Sequence, residues 1–269
     1  MLGVTYGEVM AQFIPSFVPV AEARAHRYVH VIDANVFISD RVEHHGAGLH
    51  FLGMFGDEAC WAVDVPHGED PSYGAAVDLF TYYGRSSEEE WAIAGRAVQL
   101  AEWARTHRFC GRCGTPTSLS ESDRSMACPA CKLAAYPRLA PAMITLVTRG
   151  ERGPDQEALL ARGVNFRAPM YSCLAGFVEP GESLEGAVIR EVFEEVGVRI
   201  GTVIYRSSQP WPFPHSLMIG FRAEWLSGDI VCEPSEILDA QWYRKDALPS
   251  IPPPISIARK LLDEWLAED

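Results

Sequence analysis

The stretch from Gly176 to Val198, GFVEPGESLEGAVIREVFEEVGV, constrains this chain more than any other. Gly176 is followed after five residues by Glu182 and after seven more by Arg190-Glu191; Val192, Glu194-Glu195, Gly197 and Val198 complete the run. Ser183 to Val196 reads as a helix that Gly197 ends. On that helix Glu191, Glu194 and Glu195 stand at i, i+3 and i+4, so they share one face and repel one another. Leu184, Ala187, Val188 and Val192 supply the buried face opposite. Divalent cations would relieve the repulsion, because hard cations take carboxylate oxygens. Three glutamates by themselves also describe an ordinary solvated acidic face.

A second constraint lies upstream. Cys110-Gly-Arg-Cys113 and Cys128-Pro-Ala-Cys131 are two C-x-x-C pairs separated by 14 residues. Each pair sets two sulfurs on one side of a tight turn, and two facing turns make a four-cysteine tetrahedral site. Gly111 and Gly114 ease the turning backbone. Thiolate ligands in closed geometry favour one structural zinc ion per chain, with no catalytic role. Two disulfides or a redox pair are the alternatives, and a redox motif belongs at a helix start in a βαβ unit. Cys60, Cys173 and Cys232 stand alone and read as small buried hydrophobes.

These features divide the chain into residues 1–106, 107–137 and 138–269. The first part holds strand-like runs at Tyr28–Asp33, Leu49–Phe55 and Ala59–Val65, which predict a small, mostly antiparallel sheet. Ser87 with Glu90 makes a capping box for a helix to His107, with Trp91, Ala94, Val98, Ala101 and Trp103 inward. The second part is too poor in apolar residues to hold itself together. The third alternates strands, beginning at Ala142–Thr148, with helices at Ser183–Val196 and Ile257–Leu266. Pro252, Pro253 and Pro254 stiffen the approach to the last helix. No internal repeat is evident. The fold class is therefore α+β.

Composition excludes some functions. With 36 acidic against 23 basic residues the net charge is -13, which argues against a general nucleic-acid binder. It leaves room for a small anionic substrate, since bound metal ions reverse the local sign. No apolar run approaches the ~18 residues of a membrane helix. Pro15 and Pro19 interrupt Phe13–Val20, and no basic residue precedes it, unlike a secretory signal. A cytoplasmic protein without a membrane partner is expected.

The Gly176–Val198 run resembles the Nudix box at every defined position. That resemblance implies an α/β/α sandwich and metal-dependent hydrolysis of a nucleoside diphosphate linked to another group. It implies two to three Mg2+ or Mn2+ ions on Glu191 and Glu195, with Glu194 a further ligand or base. Arg190 would orient the carboxylates, and the carbonyl of Ala175 with Glu236 would complete the site.

Further on, Pro210, Pro212 and Pro214 stiffen the loop Ser208–Ser216 and prevent a regular helix or central strand. Trp211 and Phe213 there are either core packing or a pocket wall. The run resembles the SQPWPFPxS signature of NADH pyrophosphatases, as do the zinc ribbon and the separate smaller N-terminal domain before it. This implies that Gln209, Pro210, Trp211, Pro212, Phe213, Pro214, His215 and Ser216 line a dinucleotide site. Phe177 and Tyr136 would face the rings, and Ala258 would also contact substrate. Asp123 stands where that family carries a longer glutamate, and Phe80 where it carries an arginine. The activity so implied is cleavage of NADH or NAD to AMP and nicotinamide mononucleotide. The alternative is removal of an NAD cap from RNA 5′ ends by the same chemistry, and a non-catalytic nucleotide sensor is a more distant third. The resemblance also implies a homodimer, to which Trp91 and Trp103 would contribute.

Overall fold

A computed structural model describes residues 13–19, 23–42, 48–66, 76–166 and 169–268. Residues 1–12 of the predicted first part, and Val20, lie outside the described residues. The chain forms two compact units: one runs to Arg138 and takes in Pro212–His215, the other holds Leu139–Trp211 and Ser216 onward.

In the first unit the strands are β1 (Phe13–Pro15), β2 (Ala25–Ile32), β3 (Asn35–Ser39), β4 (Gly48–Phe55), β5 (Glu58–Asp64) and β6 (Val77–Asp78), followed by helices α1 (Leu79–Tyr83) and α2 (Glu88–Thr106). They make one sheet, ordered β1-β4-β5-β2-β3-β6. Only the β2–β5 pairing is parallel, so the sheet is mostly antiparallel as expected. Strand β3 was not foreseen. Its hairpin with β2 turns at Asp33-Ala34 and lacks glycine; Asp33 takes φ 54° instead, a conformation short polar side chains tolerate. Helix α2 has the predicted capping box: Ser87 Oγ accepts from the Glu90 amide and Glu90 Oε2 from the Ser87 amide. Its Ile93, Ala94, Ala97, Val98 and Ala101 pack on Val29, Val31, Leu52 and Ala62 of the sheet.

The cysteine-bearing segment adds β7 (Ser118–Leu119), β8 (Met126–Ala127) and β9 (Ala134–Ala135), a small antiparallel sheet in that order. It borrows its core from α2. Met126 joins the same apolar cluster, and Trp103 Nε1 donates to the Ala135 carbonyl at 3.2 Å.

The second unit contains β10 (Ala140–Arg149), β11 (Glu157–Gly163), β12 (Leu174–Phe177), α3 (Leu184–Val196), β13 (Arg199–Trp211), β14 (Ser216–Ser227), β15 (Ile237–Arg244) and α4 (Ile257–Leu266). The sheet order is β13-β14-β10-β11-β15, with β12 also paired to β10. Period-two alternation builds the layers. Met143, Val147, Leu159 and Ala161 face Ala187, Val188, Val192 and Val196 of α3. Their neighbours Ile144, Leu146, Ala158 and Leu160 face Ile257, Leu261, Leu262 and Trp265 of α4. The result is the expected α/β/α sandwich. No helix among the described residues is long and apolar enough to cross a membrane.

Candidate active site

The box forms around α3. Ser183 Oγ accepts the Gly186 amide at 3.1 Å, and Gly197 closes the helix at φ 73°, a left-handed conformation suited to glycine. Burying Ala187, Val188, Val192 and Val196 completely fixes the helix rotation. That rotation leaves Glu194 exposed, half-buries Glu191 and carries Glu195 into the interior at 7% exposure.

Arg190 ties the box together. Its guanidinium donates to both oxygens of Glu182 (2.7 and 2.9 Å), to Glu191 Oε1 (2.9 Å), to Glu194 Oε2 (2.9 Å) and to the Phe177 carbonyl (3.0 Å). These bonds hold the Glu182 carboxyl down to about 2. The box glycine has a steric reason as well. A Cβ on Gly176 would lie 2.0 Å from the Glu191 carboxyl carbon, so that carboxylate rests directly on the backbone of β12.

Glu195 is the strained member. Burial first, then the negative charges of Glu191 and Glu236, push its carboxyl up to about 8, against one backbone hydrogen bond from Ala175. Its Oε2 is buried with no hydrogen-bond partner. Burial likewise raises Glu191 despite its Arg190 contact. Ala175, Glu195 and Glu236 line one cavity of about 460 Å3, together with Asn165, Phe166 and Ser235. An orphaned, buried carboxylate oxygen beside two further carboxylates is a donor set that fits a hard divalent cation. Arg190 has a set of partners that sequence reasoning understated, and Asn165, Phe166 and Ser235 were missed because loop residues carry no spacing signal.

The cysteines converge more tightly. Cys110 Sγ lies 3.5 Å from Cys131 Sγ, and Cys113 Sγ lies 3.6 and 3.7 Å from those of Cys128 and Cys131. A tetrahedron with Zn–S of about 2.3 Å has edges of about 3.8 Å, whereas a disulfide requires about 2 Å. All four are free thiols and lie within 4.8 Å of one another. Each turn donates an amide to its first sulfur, Arg112 to Cys110 and Cys131 to Cys128. Left-handed residues follow each pair at Gly114 (φ 72°) and Lys132 (φ 61°); Gly111 is not among them. Among the described residues no set of three carboxylates converges within that distance.

The run Ser208–Ser216 divides. Gln209, Pro210 and Trp211 end β13, an edge strand, where a proline costs no ladder bond. The Gln209 amide is occupied: Nε2 donates to the Ile255 carbonyl at 2.7 Å and Oε1 accepts the Ile257 amide at 2.8 Å. Ser216 and Ala258 are buried. In the first unit, Pro212 packs over Gly95 and Phe213 stacks on Phe80, with ring centroids 4.4 Å apart. Pro214 and His215 border a small cavity with Gln99 and Trp103. Asp123 Oδ2 accepts the Tyr136 hydroxyl at 3.0 Å. Tyr136 and Phe177 are exposed at 59% and 57%.

Known proteins match all three parts. Residues 138–266 match the NUDIX domain, residues 105–136 the NADH pyrophosphatase zinc ribbon domain, and residues 20–103 the NADH pyrophosphatase-like rudimentary NUDIX domain. The NAD-capped RNA hydrolase NudC of Deinococcus radiodurans is 48% identical over 222 residues, 82% of this chain and 79% of that protein. A protein of the same name from Pseudomonas aeruginosa is 54% identical over 218 residues, 81% of this chain and 77% of its own. A solved Nudix hydrolase from Nitrosomonas europaea aligns at 23% identity and TM-score 0.44 over 53% of this chain and 80% of its own. The chain therefore belongs to the Nudix hydrolases, in the branch that joins a Nudix domain to an NADH pyrophosphatase zinc ribbon.

Proposed function

We propose that this enzyme hydrolyses the pyrophosphate of NAD-type dinucleotides, either as free NADH or NAD or as the NAD cap of an RNA. The observation that carries the reading is the buried, partnerless oxygen of Glu195, which feels the charges of Glu191 and Glu236 and lines one cavity with Glu236 and Ala175. Glu191, Glu195, Glu236 and the Ala175 carbonyl would hold two to three Mg2+ or Mn2+ ions. Divalent ions bound there supply charge neutralisation and make water nucleophilic at neutral pH. Arg190 fixes the orientation of Glu191 and Glu194. Exposed Glu194 is assigned to take the proton of the attacking water. A new P–O bond forms as the bridging P–O bond breaks, releasing a nicotinamide mononucleotide together with AMP or, from a capped RNA, the 5′-monophosphorylated chain.

Phe177, Tyr136, Asp123 and the aromatic run through Trp211 and Phe213 are assigned to substrate selection. The division into residues 1–106, 107–137 and 138–269 accompanies this reading, as do a homodimer and a cytoplasmic setting. Parallel kinetics on NADH, NAD, ADP-ribose and an NAD-capped RNA, with Mg2+ or Mn2+, test it. The dinucleotides and the capped RNA should be cleaved in preference to ADP-ribose. Equal turnover of ADP-ribose, or none of the dinucleotides, would overturn it.

A further inference from the structure

Arg96 on α2 and Arg124 between β7 and β8 flank one point of the first unit's sheet edge. Arg96 Nε donates to the Leu52 carbonyl at 3.2 Å, and the Ser16 amide donates to that same oxygen. Arg124 Nη2 donates in turn to the Ser16 carbonyl. One half-buried guanidinium thus holds a carbonyl of β4, and the other, also half-buried, holds the residue just after β1 that is bonded to that carbonyl.

Neither forms an ion pair among the described residues. Burial lowers the pKa of Arg96, and burial together with the charge of Arg96 brings Arg124 down to about 10, with no acid offsetting either. Acids are not scarce in a chain of net charge -13. Four acids of this unit are engaged elsewhere: Glu58 and Glu90 on Arg27, Asp64 on Arg105, Asp123 on Ser125 and Tyr136. Holding two like charges together out of water is costly without a counter-charge. Each guanidinium has five donors, and these backbone bonds use one apiece. Two adjacent forks with donors to spare suit a phosphate oxyanion.

We propose that Arg96 and Arg124 form a subsite for a phosphodiester of an RNA chain, the part of an NAD-capped RNA that a free dinucleotide lacks. The proposal rests on the NAD-capped RNA reading above. It reconciles a strongly acidic protein with an RNA substrate by confining the basic contact to one compensating pair.

The test is a double substitution, Arg96→Gln with Arg124→Gln, which removes both charges but keeps donors for Leu52 and Ser16. Binding of a short 5′-monophosphorylated RNA to the zinc-loaded enzyme, without Mg2+ or Mn2+, is followed by fluorescence anisotropy over a range of salt. This readout survives even if the protein proves unable to cleave NAD. Binding should weaken at least about tenfold, the scale of losing a charge-assisted hydrogen bond. The slope of log affinity against log salt should become shallower by about 0.7 for each phosphate no longer neutralised. Arg96→Lys with Arg124→Lys should recover the slope. In turnover, KM for the capped RNA should rise at constant kcat while NADH kinetics stay unchanged. Unaltered RNA affinity and salt slope in a folded Gln variant would overturn the proposal and leave the pair as a structural clamp on residue 16. Competition by inorganic phosphate as strong as by RNA phosphate would assign the site to free phosphate and overturn the diester.

Discussion

Glu195 concentrates the cost of this site in one side chain, because its carboxyl is buried near two other acids with one oxygen unpartnered. Glu195→Gln keeps the shape and removes the charge. Turnover should fall at least ~10²-fold, the scale of losing one electrostatic contributor. Without added Mg2+ or Mn2+, the melting temperature should hold or rise, since the like-charge repulsion disappears. Near-wild-type turnover at saturating Mg2+ would remove Glu195 from the chemistry. Gly176→Ala probes the same site from the backbone. Its new methyl would occupy the place of the Glu191 carboxylate, the free end of a flexible side chain that can swing aside at little cost in stability. Melting should barely change, while turnover should drop about 10²-fold as a ligand leaves position. A parallel loss of folding would instead make Gly176 a packing residue.

Helices were the most legible elements, and the reasons are local. α2 carries a capping box, α3 runs from Ser183 to a left-handed Gly197, and α4 spans the predicted Ile257–Leu266 behind Ser256. Strands that depend on distant partners were less legible: β1, β3 and β6 are short, and pairing rather than pattern defines them. The four cysteines could be read because spacing alone fixes such a site. Gln209 could not, because its role depends on where α4 begins. Its amide satisfies Ile255 O and Ile257 N, both on buried residues, and so joins the end of β13 to the start of α4. Gln209→Ala should leave both backbone groups unpaired at about 1–3 kcal/mol. Melting temperature should fall, and NADH and ADP-ribose should suffer equally. An unchanged melting temperature with a raised KM for NADH alone would make the amide a substrate contact instead.

Across the whole molecule, the sequence concealed a repetition of architecture. The first unit orders its strands β4-β5-β2-β3 and the second β13-β14-β10-β11, each with the parallel pair at the centre, β2–β5 and β10–β14. Burial patterns can be met by many sequences, so this likeness left no readable repeat. The units differ where the chemistry sits. Only residues 40–47 separate β3 from β4, whereas β12 and α3, with every box residue, lie between β11 and β13. The first unit has instead the four-cysteine turns. Two kinds of metal dependence should follow, one in each unit. Four thiolates close a tetrahedron in a segment with little core of its own, so zinc binding there is folding energy. The glutamate site opens into a cavity and offers hard oxygen ligands, which exchange ions readily. Dialysis against a chelator too weak to extract thiolate-bound zinc should abolish turnover without unfolding the protein. Mg2+ or Mn2+ alone should restore it, while metal analysis still finds one zinc per chain. Cys113→Ser should do the reverse, losing the zinc and lowering the melting temperature, with activity falling only as far as the fold does. If activity returned to the dialysed enzyme only on adding zinc, the chemistry would belong to the cysteine turns and this division between the units would fail.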